Sequence, residues 1–122
     1  MKLKRGDVVL CRVPMPSTEF SQSKIRPALI VSKDLNNNRL DDVIIAPLSS
    51  NLDHSYEPTQ YLLIGKELVE AGIRVPSVIR CESIMVISKS LILKKLGKLS
   101  TAVMQKINHR LRDALGLSHN LS

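Results

Sequence analysis

The sequence predicts a mainly β domain, a small β-barrel carrying one C-terminal α-helix. Three observations carry this reading. Short β-branched runs recur at close spacing through the first ninety residues, the pattern of a small barrel or sandwich. After Ser100 the apolar residues switch to a spacing of four, which is helical. A length of 122 residues with 43% hydrophobic residues supports one core and leaves no room for a second, so residues 1–122 are expected to form a single domain.

Val8 to Val13 reads as the first strand, ended by Pro14 and Pro16, because proline cannot donate to a ladder. A polar loop, Ser17 to Lys24, leads to a second strand at Ala28 to Ser32. Its unbroken apolarity predicts burial on both faces. Asn36-Asn37-Asn38 marks a turn, since asparagine tolerates left-handed backbone. Val43 to Ala46 is the third strand, and Pro47 is expected to confine its end to an edge or a bulge. Gln60 to Ile64, Ser77 to Arg80 and Ile84 to Ser88 are further short strands, and Lys66 to Ala71 a short helix stopped by Gly72.

The last helix starts at Ser100, a good N-cap. It presents Val103, Ile107, Leu111 and Leu115 on one face and ends at Gly116, a common C-terminal stop. Lys106, Arg110 and Arg112 are expected to face solvent.

Composition excludes several classes. The longest stretch free of charge, Val43 to Leu52, holds ten residues and a proline, well short of the ~20 apolar residues that span a bilayer. Met1 to Arg5 is basic, but the apolar run that follows is only Val8 to Cys11, so no export signal is expected and the cytoplasm is the expected compartment. Cys11 and Cys81 lie outside any CxxC spacing and in apolar runs, which reads as buried free thiols. Three scattered histidines, His54, His109 and His119, make no convincing zinc set. No metal or other cofactor is expected.

Charge is divided unevenly. Residues 1–72 balance nine basic against nine acidic side chains, while residues 73–122 set nine basic against two acidic, the whole net charge of +7. A field of one sign in part of a small domain favours a polyanion or an acidic protein partner. Only Phe20, Tyr56 and Tyr61 are aromatic, too few to stack base after base. A nucleic acid would be held mainly through phosphates and base edges.

Several segments together resemble the MazF/PemK toxins. Arg5-Gly6-Asp7-Val8-Val9-Leu10 is similar to their opening strand, and Lys24-Ile25-Arg26-Pro27-Ala28-Leu29-Ile30-Val31-Ser32 to their K-x-R-P-A-hydrophobic strand. Val43 to Ser50 resembles V-I-V-A-P-I-T-S, Ala71-Gly72-Ile73 with Pro76-Ser77-Val78 resembles A-G-L…S-V, and Lys95 to Ser100 resembles the K-x-G-x-L lead into the last helix. The five pieces fall in the family's order over nearly the whole chain.

The resemblance implies an SH3-like barrel of the MazF/PemK/CcdB type, a homodimer, and the toxin of a toxin–antitoxin pair. It implies metal-independent, sequence-selective cleavage of single-stranded RNA such as messenger RNA, and neutralisation by an acidic cognate antitoxin. It also points to individual residues. Arg26 stands where the family places an arginine before its Pro-Ala strand, and a guanidinium offers a charged planar fork to phosphate oxygens. Ser49 stands where the family more often has threonine; it keeps the hydroxyl and loses the methyl that restricts χ1. Ser50, one position on, points to the opposite face of a regular strand. Glu19 matches a loop glutamate, Glu82 an acidic residue that touches bases, and Ser83 the glutamine beside it, which serine cannot replace in bidentate readout. Lys24 belongs to the phosphate track. His54 is not required by the match.

Two other readings stay open. A CcdB-like inhibitor of a protein target resembles the same fold, and fold does not dictate chemistry. A degenerate member could bind RNA or its antitoxin without cutting, given Ser49, Ser83 and a loop poor in glycine.

Overall fold

The computed structural model describes residues 1–19 and 21–118; Phe20 and His119 lie outside the described residues. The chain runs β1 (Asp7–Pro14), a 3-10 turn (Pro16–Thr18), β2 (Ser23–Ile30), α1 (Asp34–Arg39), β3 (Asp42–Ser49), β4 (Gln60–Leu63), α2 (Gly65–Glu70), β5 (Ser77–Arg80), a 3-10 turn (Cys81–Ser83), β6 (Met85–Ser88), a further turn (Lys89–Leu91), β7 (Ile92–Lys98) and α3 (Thr101–Leu115). The strands pair antiparallel in the order β4-β5-β3-β2-β1-β7, with β6 on β3. The expected β-barrel with a C-terminal helix is therefore present, in an open form: no ladder joins β4 to β7 among the described residues.

Two glycines seat α2, which follows β4, against β7. A Cβ on Gly72 would lie 2.0 Å from the Leu96 carbonyl oxygen of β7, and one on Gly97 would lie 2.3 Å from the Glu70 carbonyl oxygen of α2. Backbone rests on backbone at both points, which only a residue without a side chain permits. Gly72 also takes φ +75, so it ends α2 and seats the following loop on β7 in one step.

The sheet separates two apolar clusters. Leu29, Ala46, Leu48, Leu63 and Ile79 pack toward α3 with Val103, Met104 and Ile107. Val9, Cys11, Ala28, Ile30, Val43 and Ile45 form the other cluster. β2 feeds Leu29 to one and Ala28 and Ile30 to the other, which is why its sequence is apolar without alternation. Cys11 and Cys81 are free and fully buried. Burial pushes the Cys11 thiol up to about 11, and burial, helped by Glu82, pushes Cys81 up to about 12.

Four expectations change. β2 begins at Ser23 rather than Ala28, because β1 pairs along it from Val8↔Leu29 to Pro14↔Ser23 and supplies ladder partners to residues that look like loop. The Asn36–Asn38 triplet lies inside α1, not in a turn. Asn37 is buried and exchanges hydrogen bonds with Ser32, donating to its carbonyl at 2.8 Å and accepting from its hydroxyl, so its amide does not compete for its own backbone. Pro47 sits within a central strand. β6 pairs with β3 up to Ile45 and β5 takes over at Leu48, so the missing N–H falls at the hand-over, where no ladder needs it. β7, with three lysines and a glycine in seven residues, is a strand that its sequence hides; lysine-rich outer faces are how edge strands avoid further pairing.

The last helix keeps its predicted caps. Ser100 Oγ accepts from the Val103 N–H at 3.2 Å, and Gly116 takes φ +69. Its apolar face runs from buried Val103 and Ile107 to half-buried Leu111, but Leu115 is 55% exposed, because the stripe outruns the sheet. Lys106 faces solvent as expected, whereas Arg110 turns inward. Its Nε donates to the Gln60 carbonyl at 3.0 Å, and its guanidinium lies 5.9 Å from the centre of the Tyr61 ring. No helix among the described residues is long and apolar enough to cross a membrane.

Candidate functional site

The seam between β2 and β3 brings Arg26 and Ser49 together. The β2–β3 ladder runs Ile30↔Ile45, Leu29↔Ala46, Ala28↔Pro47. The ladder ends there, with Arg26 and Ser49 each two residues past its last pair on their own strands. Both line one cavity of about 440 Å³ together with Ile25, Pro27, Ser50 and Arg74. Gly72 and Leu96 line it too, so the glycine contact that seats α2 against β7 also shapes the site. Arg26 is half-buried in an extended strand, the backbone that the following proline enforces. Among the described residues its guanidinium makes no hydrogen bond and no ion pair. Ser49 Oγ accepts from the Asn51 N–H at 3.1 Å; this fixes the oxygen and leaves the hydroxyl proton to be donated elsewhere.

Arg26 also lines a second cavity, about 260 Å³, with Lys24, Arg80, Ser83 and Met85 among others. Arg26 therefore belongs to two concavities, sharing one with Arg74 and the other with Lys24 and Arg80. A third and smaller one, about 120 Å³, is lined by Ser49, Asn51, His54, Gln60 and Arg80. Four cations around one groove favour a chain of negative charges.

The remaining candidates divide. Lys24 and Ser83 line the second cavity with Arg26. Ser50 lies beyond the end of β3 and lines the same cavity as Ser49, so the opposite face expected of a regular strand does not apply to it. Glu19 is exposed, in left-handed backbone at φ +54, and is not among the described residues lining either cavity beside Arg26. Glu82 is tied within the protein. It accepts from Gln60 Nε2 at 2.8 Å and from Arg80 Nε at 3.3 Å. Burial alone would raise its pKa, but these hydrogen bonds and its own backbone N–H hold the carboxyl below the usual range.

Arg74, Arg80 and Gln60 carry no motif and escape the sequence, whereas His54, set aside there, lines the smallest of the three cavities. The signal for Arg80 and Gln60 is three-dimensional: β4 and β5 pair Gln60↔Arg80, and β3 pairs Ser49↔Val78, so all three fall on one face. No three His, Cys, Asp or Glu side chains gather as a metal-ligand group among the described residues.

Comparison with known proteins identifies the family and the fold. The family model described as the PemK-like, MazF-like toxin of type II toxin–antitoxin systems matches residues 4–115. A curated relative, endoribonuclease EndoA of Bacillus subtilis (strain 168), is 28% identical over 117 residues, 96% of this chain and 97% of its own. A solved endoribonuclease from a mycobacterial species, captured with its cognate antitoxin, is 25% identical and superposes with a TM-score of 0.76 over 97% of this chain and 99% of that one. MazF of Deinococcus radiodurans, 18% identical, shares the fold with a TM-score of 0.73 over 96% of this chain and 99% of its own. The family model's match over residues 4–115, on a chain with this fold, places the protein in the PemK-like, MazF-like toxin family.

Proposed function

We propose that this protein is a sequence-selective endoribonuclease toxin that cleaves single-stranded RNA by attack of the 2′-hydroxyl on the adjacent phosphate. The observation that carries the reading is the Arg26 guanidinium, partnerless among the described residues and lining two cavities, one of them with Ser49. In the reaction the 2′-oxygen forms a bond to phosphorus, its proton departs, the bond from phosphorus to the 5′-oxygen breaks, and that oxygen gains a proton. Negative charge builds on the non-bridging oxygens between these events. Arg26 is suited to hold that charge with two parallel N–H bonds, and Ser49 to donate one more. Donors set in advance at the point of developing charge are usually the largest catalytic contribution.

Lys24 and Arg74 would track phosphates on either side of the cut, with Ser50 and Ser83 lining the same cavities. Glu19 and Glu82 are left without a catalytic step. The net charge of +7 suits both the RNA and an acidic antitoxin that occupies the same groove. The family resemblance implies a homodimer working in the cytoplasm.

The test is incubation of the purified protein with long RNA in EDTA, followed by analysis of the new ends. The reading expects 2′,3′-cyclic phosphates and 5′-hydroxyls at recurring sequences, and their loss in folded Arg26→Ala. Intact RNA, together with arrest of a bound protein target, would replace it with the inhibitor reading.

A further inference from the structure

Behind Ser49 lies a polar arrangement that the proposed cleavage chemistry does not use. Gln60 is 6% exposed, and its side-chain oxygen Oε1 is buried with no hydrogen-bond partner. Buried acceptors are rarely left in this state, because each one unsatisfied costs on the order of 1–3 kcal/mol. Rotating the amide by 180° does not relieve it. Gln60 Nε2 donates to Glu82 Oε2 at 2.8 Å, and a flip would set the amide oxygen against a carboxylate that only accepts. Glu82 is itself held ionised by Gln60, by its own backbone N–H and by Arg80 against the cost of burial. The Gln60 backbone is pinned as well, its carbonyl accepting from Arg110 Nε at 3.0 Å. The acceptor is thus aimed from both ends.

Its surroundings define what it accepts from. Gln60 lines the 120 Å³ cavity with Ser49, Asn51, His54 and Arg80. That volume is below the range of a complete small-molecule site, and it suits one heterocyclic ring entering from the groove. Ser49 belongs to this cavity and to the larger one that holds Arg26. A ring seated there belongs to a nucleotide next to the phosphate that Arg26 and Ser49 would hold. Arg80 lines the same cavity with its Nε bound to Glu82, so its outer N–H groups remain as donors for a ligand there. An acceptor next to a donor is the pattern that reads a base edge.

We propose that Gln60 is a specificity residue, accepting an N–H from the Watson–Crick edge of one nucleotide flanking the cut, and that Glu82 is the positioning residue that fixes its amide. The inference rests on the endoribonuclease reading. Burial of the acceptor demands that the base displace the outer side chains of the cavity, and His54 and Asn51 are exposed and able to give way.

The test compares the sequence profiles of 5′-hydroxyl ends that the wild type, Gln60→Leu and Glu82→Gln release from the same long RNA. The expected result is a loss of preference of about tenfold or more at one position flanking the cut, the same position in both variants, with the other positions retained. Glu82→Gln matters because a carboxamide can accept or donate, so Gln60 is freed to flip without losing its neighbour. Because Gln60→Leu could fail to fold, the wild type is also tested on cognate oligonucleotides. In each, the Watson–Crick N–H of a single flanking base is replaced by N–CH3. One methyl should reduce cleavage at least tenfold at the position that the variants relax. Unchanged profiles, or indifference to every such methyl, would overturn the inference while leaving the endoribonuclease reading in place. A wild type that cuts no RNA would overturn both.

Discussion

Two regions of this molecule use arginine in opposite ways. Where the N-terminal segment and α3 meet the sheet, the guanidinium groups are committed. Arg5 donates to the Val31 carbonyl at 2.9 Å and to Asn108 Oδ1 at 2.6 Å, and Arg110 spans α3 and β4 through the Gln60 carbonyl and the Tyr61 ring. Burial lowers the pKa of Arg5, and Asp34 offsets part of that. At the groove, Arg26 has no partner among the described residues and lines two cavities. The committed arginines satisfy carbonyls that the fold itself leaves open; the free one has donors to spare for a ligand. The same residue type thus serves as a brace in one place and as a reagent in the other, and the difference lies in what surrounds the fork of N–H groups.

Substitutions can break this contrast from either side. The largest stability loss is expected at the join between the regions. Gly72→Ala places a methyl 2.0 Å from the Leu96 carbonyl at φ +75 and should cost on the order of 3 kcal/mol or more. It should also reduce cleavage by more than the fraction that unfolds, because Gly72 lines the Arg26 cavity. Denaturant melts and initial rates on one preparation check both. Arg5→Ala should cost about 2–3 kcal/mol through two lost charge-assisted bonds, with the rate per folded molecule unchanged. A fall in that rate would blur the division between brace and reagent.

Ser49→Ala should do the reverse, leaving the melting curve within about 0.5 kcal/mol and slowing cleavage roughly ten- to a hundredfold, as expected for one hydrogen bond to a charged group. The smallest effect belongs to Ser100→Ala, which loses only a cap and should cost about 1 kcal/mol in thermal unfolding, with no change in cutting. Alkaline pH sharpens the comparison further. The folded pKa values of Cys11 and Cys81, about 11 and about 12, lie above the ordinary thiol value near 8.5. Their neutral burial therefore contributes stability in full below that value, and the contribution is lost as pH rises through the folded values. A thiol reagent at pH 8 should label neither cysteine in the native protein and both after unfolding.

Much of the brace was legible along the chain. Ser100, the spacing of four and Gly116 mark α3 because capping and amphipathicity are local properties. β5 was legible at Ser77 to Arg80, and Gly72 marked the end of α2. β7 was not, because its lysines follow from being an edge, which only topology reveals. The Asn triplet of α1 misled because Asn37, inside the helix, and Ser32, just before it, satisfy each other. At the groove, Arg26 and Ser49 were legible through a motif resemblance, and the structure places both on the lining of one cavity. Gln60, Arg74 and Arg80 were not, since nothing short of strand pairing tells which polar residues share a face. Arg110 looked like a solvent cation because its acceptor, a backbone carbonyl, leaves no trace in a sequence.

The central claim is that Arg26 acts on the reacting phosphate rather than merely holding RNA. Its most direct test is the single-turnover cleavage rate of Arg26→Lys at saturating RNA beside the wild type. Lysine preserves the charge that binds the strand but lacks the planar fork. A rate reduced about 10²–10³-fold, the usual cost of a lost transition-state donor, with an affinity changed less than about tenfold, is the result this account predicts. A wild-type rate in Arg26→Lys, or a loss confined to affinity, would contradict it.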